Sequence, residues 1–150
     1  MRLWLDTEFN GHGGQTISVA LAADHPFLYF YEVLEMHEMP VAWVEEHVMP
    51  VLNKEAISVW ELQGKLQLWI NRLVNANVKE LEIIADHPAD IERFTALLQI
   101  GDTGAWAQMP EVTFRIVTSL PGTADTSIDP HNALADAQAL RDSWIKFKGI

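Results

Sequence analysis

Cysteine is absent from the 150-residue chain, which excludes disulfides, thiolate metal sites and a cysteine nucleophile. That absence fits a reducing cytoplasm, the compartment expected here. No stretch approaches the ~20 apolar residues of a membrane-spanning helix. The first strand pattern begins at Leu3, with no basic segment and apolar run of signal-peptide type before it. The expectation is a soluble intracellular protein without a membrane partner. Basic residues are scarce, 10 Lys and Arg against 21 Asp and Glu, for a formal net charge of −11. Phosphate contacts supply most non-specific affinity for nucleic acid, so this balance argues against a wide electropositive groove for a duplex. It leaves room for a metal-dependent nuclease that grips a few nucleotides at a strand end, because bound cations offset an acidic pocket. Internal repeats and domain boundaries are also lacking. With 49% hydrophobic residues, residues 1–150 read as one domain able to bury a core without staples.

What the sequence does have is a first strand, Leu3-Trp4-Leu5-Asp6-Thr7-Glu8-Phe9, whose period-two alternation puts Asp6 and Glu8 on one face. Paired carboxylates repel and resist ionising together, so a fold that holds them side by side usually supplies a divalent cation. An isolated Asp-x-Glu is more often a solvated strand end. The glycine-rich stretch Asn10 to Gly14 reads as a tight turn; without a following Lys-Ser or Lys-Thr it is a weak phosphate loop. Alternation at Ile17, Val19 and Leu21 and the aromatic run Phe27 to Tyr31 predict two further strands, completing an antiparallel meander.

From Pro40 the period becomes helical, with Val41, Val44, Val48 and Val51 on one face up to about Pro50. Ser58-Val59-Trp60-Glu61 has the form of a capping box, opening a helix whose core face runs through Val59, Leu62, Leu66, Trp69, Ile70 and Leu73. Leu81 to Ala85 predicts a buried strand. Pro88 then opens a helix with Ile91, Phe94, Leu97 and Leu98 on its core face and Gly101 just past its end. Gly101 to Pro110 is expected as loop, holding Trp106, the loop exception among six tryptophans most of which sit at core-like positions. Val112 to Val117 predicts the fifth strand, and Thr118 to Pro130 a long loop that could serve as a lid. The last helix carries Ala133, Ala137, Leu140, Trp144 and Phe147 on one face. The fold class expected is α/β, a mixed five-stranded sheet with three antiparallel strands first and helices on its faces.

Four further polar positions accompany the first strand. Asp86 ends the fourth strand, and Asp90 sits in the first turn of the next helix, a place where the dipole alone would justify a carboxylate. His131 and Asp136 are five apart, about 140° on an ideal helix, so they face one site only if His131 precedes the helix that holds Asp136. His12, His25, His37 and His47 are expected to be ordinary surface or core histidines.

Asp6-Thr7-Glu8-Phe9, an Asp opening the helix after the fourth strand, and His131-x-x-x-x-Asp136 resemble, in order and context, the three motifs of DEDDh 3′–5′ exonucleases. That superfamily comprises ribonuclease T, oligoribonuclease and proofreading polymerase subunits, on a ribonuclease-H-like fold. The resemblance spans residues 3 to 147, and the brevity of the chain looks closest to small mycobacterial-type exoribonucleases. It implies that Asp6, Glu8 and Asp136 hold a metal that activates water, that Asp6 bridges to a second metal, that Asp90 completes the site with Asp86 in reserve, and that His131 is the general base. Oxygen-rich ligation suits two divalent cations, Mg²⁺ or Mn²⁺. The substrate implied is a single-stranded RNA or DNA 3′ end, with RNA favoured and a nucleotide monophosphate as product. Phe9 could stack on the terminal base, although an aromatic there is as often core. A homodimer follows only from the resemblance to small relatives in which a second subunit helps hold substrate. The alternatives are a proofreading-type DNA exonuclease subunit or docking module of a polymerase assembly, and another divalent-metal phosphohydrolase.

Overall fold

Alternation at Leu3–Phe9 does produce a strand, and it lies inside the sheet. The computed structural model describes residues 1–101, 105–120 and 123–148, without the side chains of Trp106, Thr123 and Ala124. In chain order the elements are β1 (Arg2–Phe9), β2 (Thr16–Ala23), β3 (Tyr29–Leu34), α1 (Ala42–His47), a 3₁₀ turn at Met49–Val51, β4 (Ala56–Ile57), α2 (Val59–Asn75) and β5 (Glu80–Ala85). There follow α3 (Pro88–Leu97), β6 (Gln99–Ile100), β7 (Ala105–Trp106), β8 (Glu111–Ile116), α4 (Thr123–Thr126) and α5 (Ala133–Lys148).

The main sheet has the order β4-β3-β2-β1-β5-β8. The expected meander is present, with β1 antiparallel to β2 and β2 antiparallel to β3. Beyond β1 the pairing is parallel, to β5 and then β8, and parallel neighbours need the long crossovers that the helices supply. The sheet has six strands and not five. The added strand, β4, pairs only Ala56 and Ile57 with Val33 and Leu34, too short a run to carry a period-two signal.

Other departures are local. The helix expected up to Pro50 ends at His47 and gives way to the 3₁₀ turn, since Pro50 has no N–H to continue it. The residues from Gly101 to Pro110 are not all loop: β7 pairs with β6 as a small antiparallel ribbon, and Gly101, at φ +62°, serves that ribbon and not the end of α3. The Thr118 to Pro130 stretch contains α4, and its residues 121 and 122 lie outside the described residues. Ser58 does cap α2, its hydroxyl accepting from the Glu61 N–H at 3.2 Å, but Val59 is exposed. Phe147 is also exposed, and so are Trp43 and Trp60, leaving Trp4, Trp69 and Trp144 as the buried tryptophans among those described.

Two apolar layers place the ends of the strands. Leu3 and Leu5 pack with the inner faces of α2 and α3, while Trp4 packs with Ile84, Leu140 and Trp144 under α5. Ala20 and Ala22 of β2 meet Ala133 and Ala137 of α5, and side chains this small let the helix lie close to the sheet. The first turn of α5 is thereby set against the face that carries Asp6 and Glu8. No helix among the described residues is long and apolar enough to cross a membrane.

Candidate metal centre

β1 and β5 run parallel, with Trp4 registered against Ile84. Two residues further along stand Asp6, still within β1, and Asp86, one residue past the end of β5, so the parallel register carries these carboxylates to the same end of the sheet. Asp90 joins them from the first turn of α3, where Pro88 is the first helical residue and the His87 ring accepts from the Ala89 N–H at 3.2 Å. One carboxylate oxygen each from Asp6, Asp86 and Asp90 lies within 4.8 Å of the others. Asp86, held in reserve from sequence, therefore belongs to the cluster as fully as Asp90.

Asp90 is held by a residue that the sequence reading passed over. Thr7 points to the opposite face of β1 from Asp6 and Glu8, and donates to Asp90 Oδ1 both from its hydroxyl, at 2.6 Å, and from its main-chain N–H, at 3.1 Å. The middle residue of Asp6-Thr7-Glu8 is thus the tether for the third carboxylate. Its alternation to the α3 side was the signal available.

The second group comprises Glu8, His131 and Asp136, again with one ligand-capable atom each within 4.8 Å of the others. His131 precedes α5, as its pairing with Asp136 required, in a left-handed conformation at φ +71°. Such a φ is uncommon for a residue other than glycine. Here it is locked from both sides. The His131 N–H donates to Asp136 Oδ2 at 3.0 Å, and the next residue, Asn132, caps the helix by accepting from the Ala135 N–H at 3.1 Å. Buried Asn132 also donates to the Val51 carbonyl at 2.7 Å and to the Tyr31 hydroxyl at 3.3 Å, tying the start of α5 to β3 and the 3₁₀ turn. The ring of His131 meets Trp43 edge-on with centroids 4.9 Å apart, and Trp43 stacks on His47 at 4.8 Å. His47, read from sequence as an ordinary histidine, also meets the His131 ring edge-on, with centroids 6.4 Å apart.

Burial decides the electrostatics. Asp6, Asp90 and Asp136 are 8%, 3% and 4% exposed, and the charged form of a carboxyl is disfavoured in such surroundings. Burial, and then the charges of Asp90, Glu8, Asp136 and Asp86, hold the Asp6 carboxyl well above its ordinary range. Glu8, only partly buried, is pushed up to about 8, first by desolvation and then by Asp136 and Asp90. Asp90 rises to about 6 because burial outweighs the Thr7 hydrogen bonds. Asp136 is raised by burial against the lowering effect of hydrogen bonds from Ser127 and the His131 N–H. Buried Asp6 Oδ2 and Asp136 Oδ1 have no hydrogen-bond partner among the described residues, and buried oxygens of this kind are normally paired. Each of the two groups could hold a metal ion, which would give the orphaned oxygen in that group a partner and relieve the repulsion among its carboxylates.

The remaining expectation, Phe9, is half-buried at the end of β1, with the Arg93 guanidinium carbon 4.0 Å from its ring centroid. One face of that ring is already taken. Arg93 in turn donates to the Gly14 carbonyl at 2.8 Å and the Thr16 hydroxyl at 3.1 Å, bracing the glycine-rich turn. Trp106, set apart from sequence, has its side chain outside the described residues. No known protein-family model matches the chain, and no curated protein matches it.

Proposed function

We propose that the chain is a metal-dependent 3′–5′ exonuclease of the DEDDh type, on a ribonuclease-H-like fold, that removes nucleoside monophosphates from single-stranded ends. One observation carries this reading: Asp6, Glu8, Asp90, Asp136 and His131, drawn from three separate stretches of sequence, converge on one end of the central strands with buried, unpartnered carboxylate oxygens among them. RNA is the favoured polymer because the motifs resemble those of the small exoribonucleases.

Asp6, Glu8, Asp90 and Asp136 would hold the cations, with Asp86 adjoining Asp6 and Asp90. When bound, divalent cations stabilise charge on the attacking and leaving oxygens of a phosphodiester. His131, beside Glu8 and Asp136, would accept the proton of the attacking water on a ring nitrogen. Attack at phosphorus breaks its bond to the 3′ oxygen of the preceding nucleotide and frees the terminal nucleoside 5′-monophosphate. Thr7 keeps Asp90 aimed through both of its hydrogen bonds. The Asp136 tether and the Trp43 ring restrict where the imidazole of His131 can lie. A net charge of −11 leaves little purchase on a duplex.

Oligonucleotides labelled at the 5′ end test the direction. Stepwise shortening from the 3′ end, with blunt duplex a poor substrate, is the expected pattern. Rapid cutting of a circular single strand would sink the proposal.

A further inference from the structure

We infer that the cavity between β3 and α2 is a second contact surface for single-stranded nucleic acid, holding backbone phosphates of the strand on the 5′ side of the end that enters the metal centre. The inference rests on the nuclease reading above and adds a surface to it. The cavity, of about 280 Å³, is walled by Lys54, Lys65 and Arg72 together with Glu32, Tyr29 and Leu68. Three of the chain's ten basic residues thus converge on one concave surface of a molecule whose net charge is −11. Cations that track the backbone and an aromatic ring on which a base stacks are the two elements by which proteins grip a single strand. The ring here is that of Tyr29, 45% exposed, and Leu68, 62% exposed, adds an apolar surface.

The cations are fixed in place by a buried anion. Glu32 is 7% exposed, and its Oε1 lies 3.0 Å from Lys54 Nζ and 3.5 Å from Lys65 Nζ. One carboxylate cannot neutralise two ammonium groups, so it holds them side by side with positive charge left over. Lys54 also donates to the Tyr31 carbonyl at 2.6 Å, and Lys65 also meets Glu61 at 3.3 Å. An ammonium has three N–H donors, so each lysine keeps one for a phosphate oxygen. The Arg72 guanidinium has no hydrogen bond or ion pair among the described residues. It follows Lys65 by about two turns on the same face of α2, with Leu68 between them.

One short segment, Val51 to Lys54, joins this cavity to the metal centre. The Val51 carbonyl accepts from Asn132 at 2.7 Å, the Leu52 carbonyl accepts from the Tyr31 hydroxyl at 2.6 Å, and Asn53 donates to Asp129 Oδ2 at 3.3 Å. Asp129 and Asn132 flank His131 in the chain. At the other end of the segment Lys54 reaches Glu32, which alternates to the opposite face of β3 from Tyr31. A strand that leaves the metal centre along this segment therefore rounds the edge of the sheet and comes onto the three cations. β4 pairs only with Val33 and Leu34, so it does not cover the edge at Tyr31. That edge is nonetheless closed to an added peptide strand, because Lys54 already occupies the Tyr31 carbonyl and lysine is one of the residues that blunt a sheet edge. The geometry thus favours a nucleic-acid backbone over an extended acidic peptide.

Fluorescence anisotropy of a 5′-labelled single-stranded RNA of about ten nucleotides, titrated with the full chain in Ca²⁺ at several salt concentrations, tests the surface by binding alone. A gel run on the same samples checks that the strand stays intact. Each phosphate contact contributes about 0.7 to the slope of log affinity against log salt for a single strand. Arg72→Gln should therefore lower the slope by about 0.7, and Lys65→Gln with Arg72→Gln by about 1.4, with affinity at low salt down by about tenfold. The single variant alters only an exposed side chain and decides the matter if the double variant fails to fold. Lys79→Gln with Lys148→Gln removes the same charge away from the cavity and should keep the wild-type slope. A slope unchanged by Arg72→Gln and by the Lys65 and Arg72 pair, or lowered equally by the Lys79 and Lys148 pair, would overturn the inference. So would an Asp- and Glu-rich peptide that binds the wild type and not the Lys65 and Arg72 variant while both bind RNA equally. Release of monophosphates in Mn²⁺ is read separately. Release with an unchanged slope refutes the surface and leaves the nuclease reading standing, whereas a lowered slope without release refutes the nuclease reading and supports the surface.

Discussion

Thr7 and Asp90, 83 residues apart, are joined twice: the hydroxyl of Thr7 and its main-chain N–H both donate to Asp90 Oδ1, at 2.6 and 3.1 Å. The hydroxyl bond favours the ionised form of a carboxyl that burial has pushed up to about 6. Thr7 therefore helps to decide whether the Asp90 carboxyl is charged and where it points.

Replacing Thr7 by Val keeps the β-branched shape and the main-chain bond but deletes the hydroxyl. Loss of a partner that orients a metal ligand typically costs 10–100-fold in metal affinity or activity. Thr7→Val should accordingly need about 10–100 times more Mn²⁺ to reach half of its thermal shift. An unchanged midpoint in that titration would show that Asp90 does not depend on Thr7.

Metal-free stability should fall as pH rises. Glu8 at about 8 and Asp90 at about 6 lie above their ordinary values of 4.5 and 3.8, so between those limits the folded chain keeps protons that the unfolded chain has released. Folding then binds protons, and stability drops through the window from about pH 4 to about pH 8. With a chelator present, the urea midpoint should be lower at pH ~8.5 than at pH ~5, and Glu8→Gln should flatten the slope. A midpoint that rises over this range in the wild type would contradict the clustering.

Much of this was legible in the sequence because it depends on local periodicity. Alternation placed Asp6 and Glu8 on one face; the cap before α5 put His131 outside the helix and Asp136 inside it; Pro88 opened α3 and brought Asp90 into its first turn. What was hidden depends on which elements become neighbours. Asp86 enters the cluster through the parallel register of β1 and β5, a pairing that no period reveals. Trp43 and His47 reach His131 because α1 folds over the start of α5, and α1 itself is shorter than its valine spacing suggested. β4 escaped because two residues have no pattern.

His131 and Asp136 should separate under mutation even though they touch. A general base contributes roughly 10²–10⁴ in rate, whereas a shared ligand supports binding itself. His131→Ala should retain most of the Mn²⁺-induced rise in melting temperature and lose about that factor in turnover at saturating Mn²⁺. Asp136→Asn should lose both. Wild-type turnover in His131→Ala would remove it as the base, and loss of the thermal shift would make it a ligand instead.

The most direct measurement is release of nucleoside 5′-monophosphates from a single-stranded RNA oligonucleotide by the wild type and by Asp6→Asn, each with Mn²⁺ and with chelator. Asp6 feels the charges of Asp90, Glu8, Asp136 and Asp86 together, so its loss should abolish the reaction while leaving the metal-free fold intact. The wild type should release monophosphates only with Mn²⁺, and Asp6→Asn should release none above background in either condition. Release by the wild type in chelator, or equal release by Asp6→Asn with Mn²⁺, would contradict a metal-dependent nuclease built on this cluster.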